Sequence, residues 1–415
     1  MRMTSLAPPA LLSCAAALRL QADKYLQQMA RALLVLLSFF VIATPGQAEV
    51  SMTLNGYDLR YSSGSFKMSE TYGQQLIDIE DVVISSQQGE RFTADRLMLK
   101  ATGTMGSLDW VESAEVINAS LISTTPSGYD YELRSELIQA ENIHLDQTAS
   151  LEELADRLHQ DRARPTYLKL VQFFLAIPDE GFLFEIEEFI ADGNPDLMNN
   201  QLPPGQHISE VTLKTARLSP SGSGEASLMF RFMLSGLGLE ALQLDARASA
   251  LSRFNSGQIN GEFRLELDAN KLLGANLDID TVIDEERYQT LLKADDGNRT
   301  ITPEQQAALA ASLFKGLNPS IRDAGALRIY DSLSSSFGLP DRRQLALLTE
   351  YQIQDRLNHA AGFLAVPVAD FIRAGGRLSL SAQPDALTAE DFSGDEDTLL
   401  QSLVDKAELS LTHAP

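Results

Sequence analysis

The sequence predicts an α+β fold: an elongated, mostly antiparallel β-sheet body with helical segments near residues 150–178 and 285–375. Three observations lead there. Short alternating apolar runs, broken by Gly, Ser, Asn and Thr, fill residues 49–146 and return over 181–284; this is the pattern of antiparallel strands with one wet face. Capping signals followed by apolar residues at helical spacing interrupt those runs twice. The single cysteine, Cys14, leaves the body no disulfide framework, so a chain of this length is expected to hold itself together by a buried core.

The first element is not part of that body. Ala32 to Ala43 is apolar apart from Ser38, follows Arg31, and is followed by Pro45 and Gly46. It is too short for a spanning helix, which needs about 20 apolar residues, and matches a signal-peptide core of about 7–15. Gly46 and Ala48 supply the small residues of a cleavage site, so a cut after Ala48 is expected, with Glu49 opening the mature chain. Read from Met29, residues 29–48 form a complete signal with a short cationic start, which makes residues 1–28 a non-translated or dispensable extension. Whether translation starts at Met1 or Met29 stays open. No cysteine follows the apolar run, so no lipid anchor is expected, and no integral span remains after cleavage.

Residues 49–415 are read as one body. In 49–146 a loose motif, alanine and an acid before two apolar residues spaced by one, occurs as "ADRLMLK" from Ala94 and "AENIHLD" from Ala140, and again as "AELSLT" from Ala407. Alternation puts Leu97 and Leu99, Ile143 and Leu145, and Leu409 and Leu411 on one face of their strands, with Met98, His144 and Ser410 opposite. The irregular spacing of the copies speaks for similar strands and against a solenoid.

"SLEE" from Ser150 is a capping box that opens a helix to about residue 162. After Pro165 a second helix is expected, with Leu168, Val171, Phe174 and Leu175 on one face until Pro178. Strands return over 181–284, most cleanly in "GEFRLELD", where Phe263, Leu265 and Leu267 alternate with charged residues. "SLMFRFML" is read as a strand whose two faces are both apolar, Leu228, Phe230, Phe232 and Leu234 against Met229 and Met233. Residues 285–375 turn helical: "DEERYQTLL", then "TPEQQAALAASLFKGL" capped by Thr302, then "PDRRQLALLTEYQIQDRLNHAAGFL" with a stripe of Leu345, Leu348, Ile353 and Leu357. Residues 376–415 close the body with strands.

Charge narrows the partners. The formal charge is −24, and removal of residues 1–48 leaves 29 Lys and Arg against 56 acids, about −27. Such a surface repels nucleic acid, which is bound through basic clusters, and the sequence has no such cluster. No nucleic-acid partner is expected.

Catalytic and metal motifs do not emerge. "ADDGNRTITPEQ", Ala294 to Gln305, has the length of a calcium loop between helices, but Ala294, Arg299 and Gln305 stand where aspartate, glycine and a bidentate glutamate are needed. His144, His159, His207, His359 and His413 lack the paired spacing of a zinc site, and there is no nucleophilic serine in a GxSxG context. "SGSGEAS" around Ser223 reads as a turn. Carboxylates are too numerous to single out a hydrolytic pair. No catalytic residue, metal ligand or cofactor is therefore assigned, and ligand-binding residues stay unassigned.

Exported, cysteine-free chains with long alternating strands resemble the AsmA and YdgA group of bacterial envelope proteins. "LRIYDSLSSSFG" from Leu327, followed by a helical stretch and "FIRAGGRLSLSAQP" from Phe371, is similar to a C-terminal arrangement in uncharacterised proteobacterial envelope proteins. The resemblance implies an extended sheet serving outer-membrane or lipid homeostasis. It carries over no catalytic residue.

The expectation that follows is a periplasmic, non-enzymatic envelope protein whose sheet holds a lipid or other amphiphile. Leu242, Leu244 and residues 246–250 stand either in the wall of a groove or under helices. A protein-interaction module using exposed sheet edges and a secreted carboxylate-dependent hydrolase are the alternatives.

Overall fold

The computed structural model describes residues 50–54, 57–69, 74–86, 89–104, 107–124, 130–144, 166–177, 181–193, 206–255, 257–287, 313–356, 362–384, 387–388 and 406–415. The expected signal segment, the capping box at Ser150 and the 294–305 loop lie outside these residues. The described residues are mostly antiparallel strand, so the β-rich part of the expected class holds. The chain divides into two compact units, one built from residues 1–127 and 132–165, the other from 128–131 and 166–415.

The first unit contains β1 (Val50–Leu54), β2 (Tyr57–Tyr61), β3 (Ser63–Ser69), β4 (Gln74–Ser86), β5 (Arg91–Thr104), β6 (Ser107–Thr124) and β7 (Asp130–His144, whose first two residues fall in the other unit). β1 pairs with β2, and β2 and β3 pair with successive stretches of β4, which continues antiparallel to β5 and then β6. Its core is one face of these strands. Leu59, Ile79, Val82 and Val111 are each at most 1% exposed, and a fully buried aliphatic side chain of this size stabilises by roughly 1.5–3 kcal/mol.

The buried positions are not in simple alternation. On β4 they are Ile77 and Ile79, then Val82 and Ile84; on β5 they are Phe92 and Ala94, then Leu97, Leu99 and Ala101. A spacing of three replaces a spacing of two where Glu80 and Asp81 pass Asp95 and Arg96. Asp81 there has φ 52°, and Asn118 on β6 repeats it at 52°. Each strand steps its parity at the same level, so the sheet is creased and its apolar side chains stay on one face. The crease is tied by polar side chains: the Ser62 hydroxyl donates to Asp81 Oδ2 at 2.5 Å, and Asn118 Nδ2 donates to Asp95 Oδ2 at 2.7 Å. The motif "ADRLMLK" is thus the sequence mark of a crease, since Ala94 and Leu97 are buried across two polar residues. "AELSLT" is different, because its strand alternates without a step.

The second unit contains β8 (Tyr167–Ile177), β9 (Phe182–Asp192), β10 (Gln206–Pro220), α1 (Glu225–Gly236), β11 (Leu242–Asn255), β12 (Gln258–Ala269), β13 (Leu273–Asp284) and β14 (Leu313–Asp323). After these come α2 (Ala326–Phe337), α3 (Arg342–Arg356), α4 (Gly362–Ala374), β15 (Arg377–Pro384), β16 (Leu387–Thr388) and β17 (Ala407–Ala414). β8 to β15 form an antiparallel meander, β17 pairs with β15, and β16 lies beside the start of β14.

Three expectations are corrected. The helix expected between Pro165 and Pro178 is strand β8. "SLMFRFML", expected as a strand covered on both sides, lies in helix α1, with Ser227 and Leu234 buried seven residues apart on one helical face. The end of "TPEQQAALAASLFKGL" is not helical either, because β14 begins at Leu313. The helical reading of 342–374 holds for α3 and α4.

A second crease crosses β8 to β10, with Gln172 at φ 49° and Thr215 at φ 51°. Glu187 of β9 lies level with both. It ends at β11, where Lys214 and Thr215 together oppose Asp245 and the register shifts. The Thr215 amide donates to Asp245 Oδ1 at 2.7 Å, which satisfies the N–H that the bulge takes out of the ladder. Beyond this point β12 and β13 pair residue for residue without a shift.

Among the described residues, helices α1 to α4 stand at one end of these strands. α1 connects Pro220 to Leu242, and α2–α4 connect Asp323 to Arg377; in register Leu244 faces Ala269, Ala269 faces Leu273, and Leu273 faces Asp323. Gly181, with φ +83°, lets the β8–β9 turn reach α1, since a methyl there would press into the Ser227 amide. Asp323 caps α2 by accepting from the amides of Gly325 and Leu327, both at 3.1 Å.

Candidate functional site

The β12–β17 part of the second unit separates its chemistry by face. On β12 the odd residues Phe263, Leu265 and Leu267 stand opposite Ile279, Leu277 and Ala275 of β13. Ala275 in turn faces Ile321 of β14, Ile321 faces Leu378 of β15, and Leu380 faces Leu411 of β17. The rows Leu265–Leu277–Pro319 and Leu267–Ala275–Ile321–Leu378 line an apolar trough of about 460 Å³.

The sheet ladder explains why a proline fits here. Pro319 pairs with Leu277 on β13, while on the β15 side the pairing runs in one register from Leu317–Ala382 to Ser320–Ser379 without a bridge at residues 318 and 319. The missing N–H therefore falls where the ladder is already open.

The trough is open rather than filled. At the far end of the same face Ile259 and Ile283 are buried, 1% and 8% exposed, whereas Phe263 and Ile321 in and beside the trough are 37% and 40% exposed. At the helix end, α4 packs on β17 and β15: the Phe371 ring meets His413 edge-on at 6.5 Å, and His413 Nε2 lies 2.7 Å from the Gly375 carbonyl. Exposed apolar surface of this kind is costly in water.

β11 continues the same face with small side chains. Ala246, Ala248 and Ala250 stand opposite Leu267, Leu265 and Phe263, and Leu244 shares their parity. Of the residues expected at a groove, Leu244, Ala246, Ala248 and Ala250 thus lie on the trough's face and Arg247 on the opposite one, while the lining itself begins at β12.

The opposite face is charged and holds a polar depression of about 410 Å³ lined by Lys214, Arg247, Arg322, Asp245, Glu266 and Asp268, among others. Several of its charges are paired. Arg247 reaches Glu210 at 2.7 Å and Arg322 reaches Asp268 at 3.1 Å. The Arg247 guanidinium holds the Glu210 carboxyl below its usual range, and hydrogen bonds from Lys214 and Thr215 do the same for Glu187. A hydrolytic general acid needs the reverse shift, so these two carboxylates are structural anchors.

Of the histidines, His144 ends β7, His207 lies in β10 and His413 serves the α4 contact; His159 and His359 lie outside the described residues. Ser223 lies in the turn before α1. Among the described residues, no group of three or more His, Cys, Asp or Glu is placed to hold a metal ion, and no helix is long and apolar enough to cross a membrane.

No family model matches this chain, and no curated protein matches it.

Proposed function

We propose that the chain is an exported, periplasmic envelope protein that holds the apolar part of a lipid or related amphiphile against its β12–β17 face and does not transform it. The observation that supports this reading is the open apolar trough, where Leu265, Leu267, Leu277, Ile321, Leu378 and Leu380 from four strands face solvent at one end of an otherwise charged sheet. An acyl chain suits such a surface because burial of apolar area stabilises by about 25 cal/mol per Å² without a directional partner. The reverse face carries ion-paired charge, which keeps the sheet in water on that side. The apolar run at residues 32–43 and the small residues before Glu49 support export.

Native mass spectrometry of the protein purified from the periplasm, followed by organic extraction, tests this reading. A bound amphiphile of defined mass is the expected result. Protein recovered with no amphiphile, and unable to take up a fatty acid or phospholipid added to it, contradicts the reading.

A further inference from the structure

The helices at the end of the second unit's strands display apolar residues that the fold does not use. On α1 the buried face is Ser227 and Leu234, while Met229 is 69% and Phe232 83% exposed, with Leu228 and Met233 exposed beside them. Arg231, on the same helix, is turned away from that stripe: its Nη2 donates to the Gly222 carbonyl at 3.0 Å. α3 repeats the spacing, since Leu347, Leu348 and Tyr351 are all exposed, Leu347 at 61% and Tyr351 at 67%. Two helices inserted at different points of the chain therefore present the same i, i+1, i+4 apolar pattern at the same end of the strands.

Charge at this end differs from the rest of the chain. Residues 225–236 and 326–374 together contain six Lys and Arg and six acids, so they are neutral while the remainder carries the entire formal charge of −24. A partner reached through these helices meets no net repulsion, while the rest of the chain is net acidic. Exposed Phe and Leu on a helix are side chains of the kind that segments lying in the headgroup boundary of a bilayer bury.

We infer that the α1 and α3 stripes are a docking surface for a lipid bilayer, which seats the helix-bearing strand ends on a membrane. The inference goes beyond the amphiphile-holding role and rests on separate residues. The two meet in space along the strands: the trough rows at Leu267, Ala275, Ile321 and Leu378 lie within a few residues of the strand ends that carry the helices. Docking there brings the trough to the lipid.

The test is tryptophan fluorescence in the Phe232→Trp and Tyr351→Trp variants, titrated with phosphatidylcholine vesicles whose acyl chains are brominated, and with an Arg264→Trp variant on the charged face as control. Docking predicts a blue shift and loss of emission for Phe232→Trp and Tyr351→Trp, with Arg264→Trp unchanged. Because these positions are exposed, thermal melts of the variants should match the parent. Absence of quenching at both helix positions overturns the inference. So does a blue shift that grows with protein concentration in the absence of vesicles, which identifies a second copy of the chain as the occupant. Vesicle quenching with an empty trough sinks the amphiphile reading alone, and a loaded trough without quenching sinks docking alone.

Discussion

Leu265 of β12 and Leu277 of β13 stand directly opposite one another in an unshifted antiparallel register, on the face where the sheet exposes its apolar trough. Both are half-buried. Leu277→Glu places a carboxylate on the trough wall, and an apolar chain bound there would have to desolvate it. The expected outcome is at least a roughly tenfold weaker uptake of a fluorescent fatty acid, with a thermal midpoint close to the parent because the side chain still reaches water.

Thr215 holds φ 51° although it is β-branched, a conformation that costs about 1–2 kcal/mol for such a residue. The first crease uses Asp81 and Asn118 in the same backbone state. Thr215→Asn is therefore expected to stabilise the fold by about 0.5–1 kcal/mol, because asparagine tolerates the left-handed region. Asp245→Ala removes the acceptor of the Thr215 amide and should destabilise by about 1–2 kcal/mol. Urea denaturation of the two variants checks both signs.

Gly181 combines φ +83° with a close approach to the Ser227 amide of α1. Gly181→Ala should destabilise by about 1–3 kcal/mol through strain and displacement of the helix. Faster exchange of α1 amides, measured by hydrogen–deuterium exchange, is the expected local sign.

The carboxyls of Glu187 and Glu210 are both held down, first by hydrogen bonds from Lys214 and Arg247 respectively. A carboxyl depressed in the folded state contributes stability that is present above its unfolded pKa of about 4.3 and is lost as pH falls through the folded value. Thermal midpoints should therefore be level from pH 7 to about pH 5 and fall below about pH 4.3. Both side chains are exposed, so the double variant Glu187→Gln, Glu210→Gln should flatten this fall only in part.

The strands with unbroken parity were readable from the sequence. Phe263, Leu265 and Leu267 alternate with charge and do lie on one face of β12. β8 was disguised by its crease: Gln172 shifts the parity, so buried Leu170 is followed by buried Leu175 and Ile177 at spacings of five and two. Leu168, Val171, Phe174 and Leu175 then mimic a helical stripe. "SLMFRFML" is ambiguous for the opposite reason, since a run of apolar residues satisfies both periods. Helix α1 forms because only Ser227 and Leu234 find a covered surface, and this contact depends on Gly181, 46 residues earlier than Ser227. Half of the trough was visible as alternating leucines in β12 and β17. Its closure across β14 and β15 was not, because pairing of Ile321 with Leu378 links positions separated by three helices.

The most direct measurement is photocrosslinking of a fatty acid carrying a diazirine in its acyl chain to the purified protein, followed by peptide mapping. Labels confined to the peptides holding Leu265, Leu277, Ile321 and Leu378 are the predicted result. Labels scattered over the charged face, or none on these four strands, contradict the account.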